Sequence, residues 1–523
     1  MEHYIESDHP HIAAFMDIGT NSVRLLVVRV GAKQAYRILT DQKETVRLGE
    51  SEFIDQRLQP KAMQRAVLIC ANFANMARSH GADEIVAVAT AAVREAENKN
   101  AFLRRLQQAT GLDVHVVSGM EEARLIYLGV SSGVHLGAKT ALFIDIGGGS
   151  TEIIVGSQQQ HHFLGSLKLG AIRVSSLFLP DPSAPVSPDL YAFLLRNVRI
   201  GSVRIIQQVQ KYRIDLAIGS SGTIQNLADI AARMFYKRKR DRDDVLALGQ
   251  LKQVAKVLCE LPLDKRRQVP GINPERADII IGGAAVLQTL MQDLQISEIA
   301  ISERGLRDGL LMEYLSRRQP DYWHTSVRQR SVMQLGRTCG FDEAHAQNVA
   351  ALALELFDSA RDAGLHRLGA AERELLHHAA LLHDVGAFLS YNRHHVLSYY
   401  IISNAEMLGF DQTETAIIAA TTLFHRKGLA GRKRPEFAAL EKRSQKIVRT
   451  LSVLLRMAEN LNRGHTNVVR HATLHTVGDK KMTLRVHAVG DCQVEIWGVE
   501  SHQAAFEKEL GRIMTIDLVT DPS

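Results

Sequence analysis

Two short strings of the chain carry Asp, Ile, Gly, Ser and an apolar triplet at the same offsets. Asp17-Ile18-Gly19-Thr20-Asn21-Ser22 is followed by Val23-Arg24-Leu25-Leu26-Val27, and Asp145-Ile146-Gly147-Gly148-Gly149-Ser150 by Thr151-Glu152-Ile153-Ile154-Val155, 128 residues further on. Glycines let backbone N–H groups approach phosphate oxygens and form anion-binding nests. Ser22 and Ser150 add hydroxyl donors. Asp17 and Asp145, each at a strand end, are placed to hold Mg²⁺ directly or through its water, because that ion takes few carboxylates and keeps oxygens for its substrate. One such turn is common, but a duplicated one with matching flanks points to a paired phosphate site. Gly219-Ser220-Ser221-Gly222-Thr223 adds small residues at the opening of a helix, which makes Ser221, Gly222 and Thr223 further candidates for an anion.

The elements that position these residues repeat as well. Each copy reads as a strand, a tight turn and a returning strand. A third strand follows each copy, near 35–48 and 161–169, and helices then alternate with short apolar strands. In the first lobe the pattern predicts helices near 60–79, 96–110 and 120–129, with strands at 84–89 and 114–117. In the second it predicts helices near 187–212, 223–235 and 274–290, with strands at 214–218 and 297–301. Two such lobes resemble the ribonuclease-H-like duplication of actin, heat-shock chaperone ATPases and sugar kinases, whose cleft faces both turns. Beyond about residue 318 the apolar period becomes 3.6, as in 348–357, 372–383 and 446–462, which predicts a helical domain. From Val468 alternation returns in LHTV, MTLRVHAV and CQVEIWGV, which predicts a small sheet. The expected class is therefore α/β: actin-like lobes at 1–128 and 129–318, an all-α domain at 319–466, and a small α+β domain at 467–523.

Composition narrows the function classes. The chain has 523 residues, 46% hydrophobic and 23% charged, too long for one core. No apolar run is long enough for a membrane span, and MEHYIESDHP does not read as a secretory leader, so a cytoplasmic location is expected. Cys70, Cys259, Cys339 and Cys492 lie far apart without a CxxC spacing, and are expected to be buried fillers. The net charge of +6 favours polyanions mildly. It is concentrated in 425–446, with eight Lys/Arg against two Glu, and in Tyr236–Arg242. Either stretch is a solvated basic face or a landing strip for an extended polyanion. Aromatic interleaving is poor and no nucleic-acid module is visible, so nucleic acid is not an expected partner.

DIGTNSVRLLV, TAAVREAEN, SGMEEARLI, DIGGGSTEIIV and SGTI, in that order, together with IIIGGAAVL and SERGLRDGLL further on, resemble the exopolyphosphatase/guanosine-pentaphosphatase family of the actin-like ATPase superfamily. The resemblance implies a hydrolase acting on phosphoanhydride bonds. The second Glu of SGMEEAR, Glu122, would be the general base for the attacking water, with Glu152 as the second catalytic carboxylate. It links Asp145 to Mg²⁺ (or Mn²⁺) and assigns Arg94 to substrate phosphate. The turns Gly19–Ser22 and Gly147–Ser150 would cradle the reacting phosphates. Inorganic polyphosphate is the first substrate implied and guanosine pentaphosphate (pppGpp) the alternative; a homodimer is expected. A kinase-like phosphotransferase is disfavoured by SGMEEAR, and a non-catalytic sensor by the intact Glu122 and Glu152.

Fourteen of the 22 histidines lie after residue 320. His345 and the pair His383-Asp384 resemble the opening of an HD metal-phosphohydrolase signature, and adjacent His-Asp ligands with remote partners can hold a divalent ion. Where that signature closes on an Asp, Arg456-Met457-Ala458-Glu459 offers a longer carboxylate, and Asn462 stands in place of a second Asp. The expectation is an HD-like domain in which His345, His383, Asp384 and Glu459 form at most a weak second metal site. It is not expected to be a second hydrolase.

Overall fold

The computed structural model describes residues 10–31, 35–50, 52–318, 325–426, 430–431, 434–478 and 480–521. The chain forms two compact units, Met1–Thr325 and Ser326–Ser523.

The first unit is built on two mixed sheets. Strands β1 (His11–Ile18), β2 (Ser22–Val30), β3 (Tyr36–Thr45), β4 (Glu84–Ala89) and β5 (Val114–Val116) form a sheet of order β3-β2-β1-β4-β5. Strands β6 (Ala141–Ile146), β7 (Thr151–Gly156), β8 (His161–Leu167), β9 (Leu216–Ser220), β10 (Val245–Ala247) and β11 (Glu298–Ile301) form the second, of order β10-β11-β9-β6-β7-β8. In both, a three-stranded antiparallel meander is continued by parallel strands reached through helices. The internal repeat is therefore a repeat of topology. Each sheet buries apolar side chains on both faces, so β6 and β7 read as continuous rather than alternating runs.

Local signals set most boundaries. Pro60 and Pro188 each occupy a first helical turn, where a missing N–H costs nothing. The helices Pro60–Ser79 and Pro188–Val209 follow them, the second capped by Ser187. The stretch expected as one helix over 274–290 is a 3₁₀ turn, Pro274–Arg276, and a separate helix, Ile280–Asp293. That helix is buried nearly all round, so periodicity could not locate its start. The helix Gly119–Ser131 spans the expected lobe boundary at 128. It crosses the helix Leu306–Arg318 so closely that a Cβ on Gly309 would stand 1.9 Å from the Leu125 carbonyl oxygen.

The second unit has a helical part, with Val327–Thr338, Glu343–Asp362, Ala370–Leu382, His394–Asn404, Gln412–Leu423 and Lys442–Asn460. A sheet of order β12-β13-β14 follows, from β12 (Val469–Val477), β13 (Lys481–Val489) and β14 (Ile513–Asp521). One apolar core runs from the helices into β12 and β13. CQVEIWGV, read from its alternation as a strand, is the helix Gln493–Glu500. The Asp491 carboxylate accepts from the Gln493 N–H at its start, and Glu495 on it accepts from the Gly464 N–H at 2.9 Å. These tertiary and capping bonds override a weak local preference. All four cysteines are buried and unpaired. Among the described residues no helix is long and apolar enough to cross a membrane.

Candidate active site

The two glycine turns meet in one cleft of the first unit. In each the strand ends in its Asp and turns back after the Ser, closed by an N–H to carbonyl bond of 3.0 Å from Gly19 to Ser22 and from Gly147 to Ser150. A Cβ on Gly148 would stand 2.9 Å from the Thr20 Cβ, so only glycine lets the second turn approach the first.

Hydrogen bonding shows where the turn amides face. The N–H groups of Ala171 and Ile172, opening the helix Ala171–Phe178, donate to the carbonyls of Gly147 and Gly148 at 2.9 Å. The Arg173 Nε donates to the Gly149 carbonyl at 2.7 Å. In a trans peptide the N–H points opposite to the C=O. Three carbonyls held by that helix therefore turn the N–H groups of Gly148, Gly149 and Ser150 away from it. The first turn repeats the device: Gly49 N–H donates to the Thr20 carbonyl, and Val46 and Arg47 N–H to that of Asn21.

Side chains complete the cleft. Asp17, Asp145 and Glu122 line it, with Gly19–Ser22, Gly147–Ser150, Ser221, Gly222 and Thr223. Ser221 has φ +82°, left-handed for a residue with a Cβ, a strain that clusters at functional sites. Glu152 pairs in register with Asp145 across β6 and β7, which puts both carboxylates on one face. It is buried behind the cleft lining, with one oxygen accepting from the Ser166 hydroxyl at 2.8 Å and the other, Oε2, without a hydrogen-bond partner. A Cβ on Gly119 would stand 2.7 Å from that hydroxyl, so the glycine lets the first turn of Gly119–Ser131 close on β8 and brings Glu122 towards Glu152.

The adjacent carboxylates of SGMEEAR part company. Ser118 caps the helix by accepting from the Glu121 N–H, while the Glu121 side chain turns out to His115 at 3.2 Å. Glu122 is 8% exposed and accepts from Arg94 at 2.8 Å. Arg94, expected on substrate phosphate, lies against the buried glutamate and the Val117 carbonyl.

Burial sets the charge state of the acids. It raises Asp17 to about 6, opposed by Arg24 and Arg307. It raises Glu122 to about 7, opposed by the charge and hydrogen bond of Arg94. Asp145 is raised by burial despite the bond from the Ser220 hydroxyl at 2.5 Å, and Glu152 is held far above the usual range by burial and by the charges of Glu122 and Asp145.

Three lining cations, Arg24, Arg276 and Arg304, were not singled out from sequence. Arg24 stands in register opposite Asp17, and a charged residue in an otherwise apolar strand was the available signal. Arg276 is buried beside Gly222, where a Cβ would stand 2.5 Å from its Nη2. Burial and the charge of Arg24 lower Arg276 to about 10. Two guanidinium groups thus lie close enough to repel each other in the cleft that the two glycine turns line. Of the basic stretches, Tyr236–Arg242 is partly neutralised: Arg238 pairs with Asp241 and Asp244, and Arg240 with Asp229 and Glu303. Lys427, Arg432 and Lys433 of 425–446 lie outside the described residues.

In the second unit, His345, His383, Asp384 and Glu459 come together, with ligand atoms within 4.8 Å of one another. Burial lowers His425 to about 3, helped by the charge of His383.

Residues 26–318 match the Ppx/GppA phosphatase family, and residues 327–494 match Ppx/GppA phosphatase, domain III. The chain belongs to the Ppx/GppA phosphatase family. Two curated relatives carry the name guanosine-5'-triphosphate,3'-diphosphate pyrophosphatase. The one from Vibrio vulnificus is 29% identical over 91% of this chain and 92% of its own length. The one from Pseudoalteromonas translucida is 29% identical over 80% and 81%. A crystal structure of an exopolyphosphatase from Cytophaga hutchinsonii aligns with 59% of this chain and 98% of its own, at TM-score 0.55 and 24% identity, and supports the fold alone.

Proposed function

We propose that the cleft removes terminal phosphate from inorganic polyphosphate. The observation that carries this reading is the meeting of opposed charges in one cleft: Arg24 and Arg276 with the two glycine turns, beside the carboxylates of Asp17, Glu122 and Asp145 and with Glu152 behind them. Phosphoanhydride hydrolysis is mostly positioning and charge stabilisation, so amides and guanidiniums that need not reorganise supply much of the rate.

Glu122 takes the proton of the attacking water. Its raised proton affinity, near neutrality, suits a general base. Arg94 fixes its orientation, a positioning role in place of the phosphate contact implied by the family resemblance. Glu152, held by Ser166, is the second catalytic carboxylate. Ser22, Ser150, Ser221 and Thr223 offer hydroxyl donors to the phosphates.

Asp17 and Asp145 would hold Mg²⁺ (or Mn²⁺). The buried Asp17 Oδ1 lacks a hydrogen-bond partner, and the charge of Asp145 helps raise the proton affinity of Asp17, Glu122 and Glu152, a donor set that suits a hard cation. When bound, such an ion supplies charge neutralisation on the phosphate oxygens.

A second reading, hydrolysis of pppGpp, is favoured by the names of the two curated relatives. Parallel assays of phosphate release from long-chain polyphosphate and from pppGpp decide between them. Faster turnover of polyphosphate supports the first reading, and turnover of pppGpp alone overturns it. Phosphate transfer to an acceptor, without release into water, would overturn both.

A further inference from the structure

The second unit gathers more ligand atoms than its sequence signature implied. His345 Nε2 and His383 Nε2 lie 3.2 and 2.9 Å from the same oxygen of Glu459. His383 Nε2 is 3.7 Å from Asp384 Oδ2. The other oxygen of Asp384 faces away from this group, 2.9 Å from His394 Nε2 and 3.9 Å from His425 Nε2. Two sets of ligand atoms, each compact enough for one ion, thus share Asp384.

The imidazoles are oriented by bonds from their far side. His383 Nδ1 is 2.6 Å from the Ala380 carbonyl, His425 Nδ1 2.5 Å from that of Thr422, and His394 Nδ1 3.1 Å from that of Tyr391. Each anchor is the carbonyl three residues earlier. On His383 and His425 a proton held on Nδ1 leaves the Nε2 lone pair directed inward, the usual arrangement behind a metal-bound histidine. The Asn462 side-chain amide donates to His345 Nδ1 at 2.9 Å, so the residue at the second variant position orients that ring. Arg426 lies on the outer side of His394, 3.0 Å from its Nδ1.

The fold fixes these positions. Asp342 caps the helix that carries His345 by accepting from the His345 N–H. Ser398 donates to the His383 carbonyl at 2.7 Å and accepts from the Gly386 N–H at 2.9 Å, which ties the helix His394–Asn404 to the His383-Asp384 turn. A Cβ on Gly386 would stand 2.2 Å from the His394 carbonyl oxygen, so that approach needs glycine. The four rings are buried, while the Asp384 and Glu459 side chains are 26% and 22% exposed and leave an entry path. The Nε2 atoms of His383 and His425, and Asp384 Oδ1, have no geometrically sound hydrogen bond although buried.

We propose that this cluster is a two-metal centre: one ion on His345, His383, Asp384 and Glu459, a second on Asp384, His394 and His425, with Asp384 bridging. Metal–ligand bonds of about 2.1 Å at right angles put neighbouring donor atoms roughly 3.0 Å apart, close to three of the observed separations. Imidazole-rich donors select first-row transition ions such as Mn²⁺, Fe²⁺, Co²⁺ or Zn²⁺ over Mg²⁺ and Ca²⁺.

The test loads the full-length chain, stripped with chelator, with Mn²⁺ or Zn²⁺ in millimolar Mg²⁺ that keeps the phosphate cleft occupied, and measures metal per chain after desalting. Two equivalents are expected. Asp384→Asn removes both, and His425→Gln with His394→Gln removes one. The Mn²⁺ protein gives an exchange-coupled EPR signal that these variants convert to a mononuclear one or abolish. Phosphate release by the cleft stays within about threefold in all variants and confirms a folded chain. One equivalent or none in the wild type, or two that survive Asp384→Asn, overturns the proposal. A variant that loses phosphate release as well is replaced by Glu459→Gln, from which loss of one equivalent is expected and retention of both counts against the centre.

Discussion

Both units bury carboxylates, and burial acts on them with opposite outcomes. In the phosphate cleft, Asp17 and Glu122 are pushed up to about 6 and 7, because burial outweighs the nearby arginines and the charge of Asp145 adds to it. In the histidine cluster, Glu459 is held well below its usual range, and so is Asp384, chiefly because the charge of His383 outweighs their burial. The cleft thus has negative charge to neutralise and hydrogen-bond donors for an anion nearby, as a cation-plus-phosphate site requires. The cluster already carries its compensation in rings, and nothing among the described residues around it resembles the paired amide turns. One region leaves its acids facing a cleft, the other sets its acids against imidazoles.

The largest expected effect is on the base. Glu122→Gln should lower kcat by about 10²–10⁴-fold, with substrate binding retained. Glu121→Gln, in the exposed contact with His115, should change kcat by less than about threefold. Stopped-flow phosphate release with a parallel binding assay reads both. The reverse ranking would show that the buried carboxylate is not the base.

Asp145→Asn should raise the Mg²⁺ concentration for half-maximal activity by about 10–100-fold, the range seen when metal-site partners are lost. Full activity of the wild type in excess chelator would remove the metal from the reaction and leave the raised acids unexplained.

A third expectation concerns stability. Asp17 has a folded-state pKa of about 6 against 3.8 unfolded, so folding takes up protons between those values. Its contribution favours the folded state below about pH 4 and is lost as pH rises through 6. For this one group the loss amounts to about 3 kcal/mol at neutral pH. The metal-free protein should therefore gain most in Tm from added Mg²⁺ at pH 7–8 and least near pH 5. A Mg²⁺ effect independent of pH would break the contrast between the two regions on its electrostatic side.

Which parts of this were legible in the sequence depends on the range of the forces involved. The helix Pro60–Ser79 and the strand Glu84–Ala89 were read to the residue, because proline, periodicity and apolar content agree locally. The paired turns were legible because the duplication repeats chemistry as well as pattern. The helix Ala171–Phe178 was not seen, yet it orients the second turn: two of its three bonds come from backbone N–H groups, which any residue but proline supplies, and the third from the Arg173 side chain. Arg276 comes from a segment 252 residues from Arg24, and only the assembled sheets make the two neighbours. His394 and His425 carried no motif spacing, so the second half of the histidine cluster was invisible until the helices packed.

The smallest expected effect is an absence. The second unit should contribute no hydrolysis of its own, even with both proposed ions in place. Two ions on a shared carboxylate can activate water, so the argument rests on what surrounds them. His345, His383, His394 and His425 are each at most 4% exposed. Arg426, the cation beside them, packs over the Tyr391 ring and against His394. A phosphate ester reaching the carboxylate edge would meet no set of converging amides, and therefore little stabilisation of developing charge. The measurement is turnover by Glu122→Gln protein loaded with Mn²⁺, offered nucleotides, cyclic nucleotides and guanosine tetraphosphate. Activity above background that disappears on adding His383→Ala would make the histidine cluster a second active site. Background rates, with the chain's Tm and metal content intact, leave the cluster as a structural centre beside a single catalytic cleft.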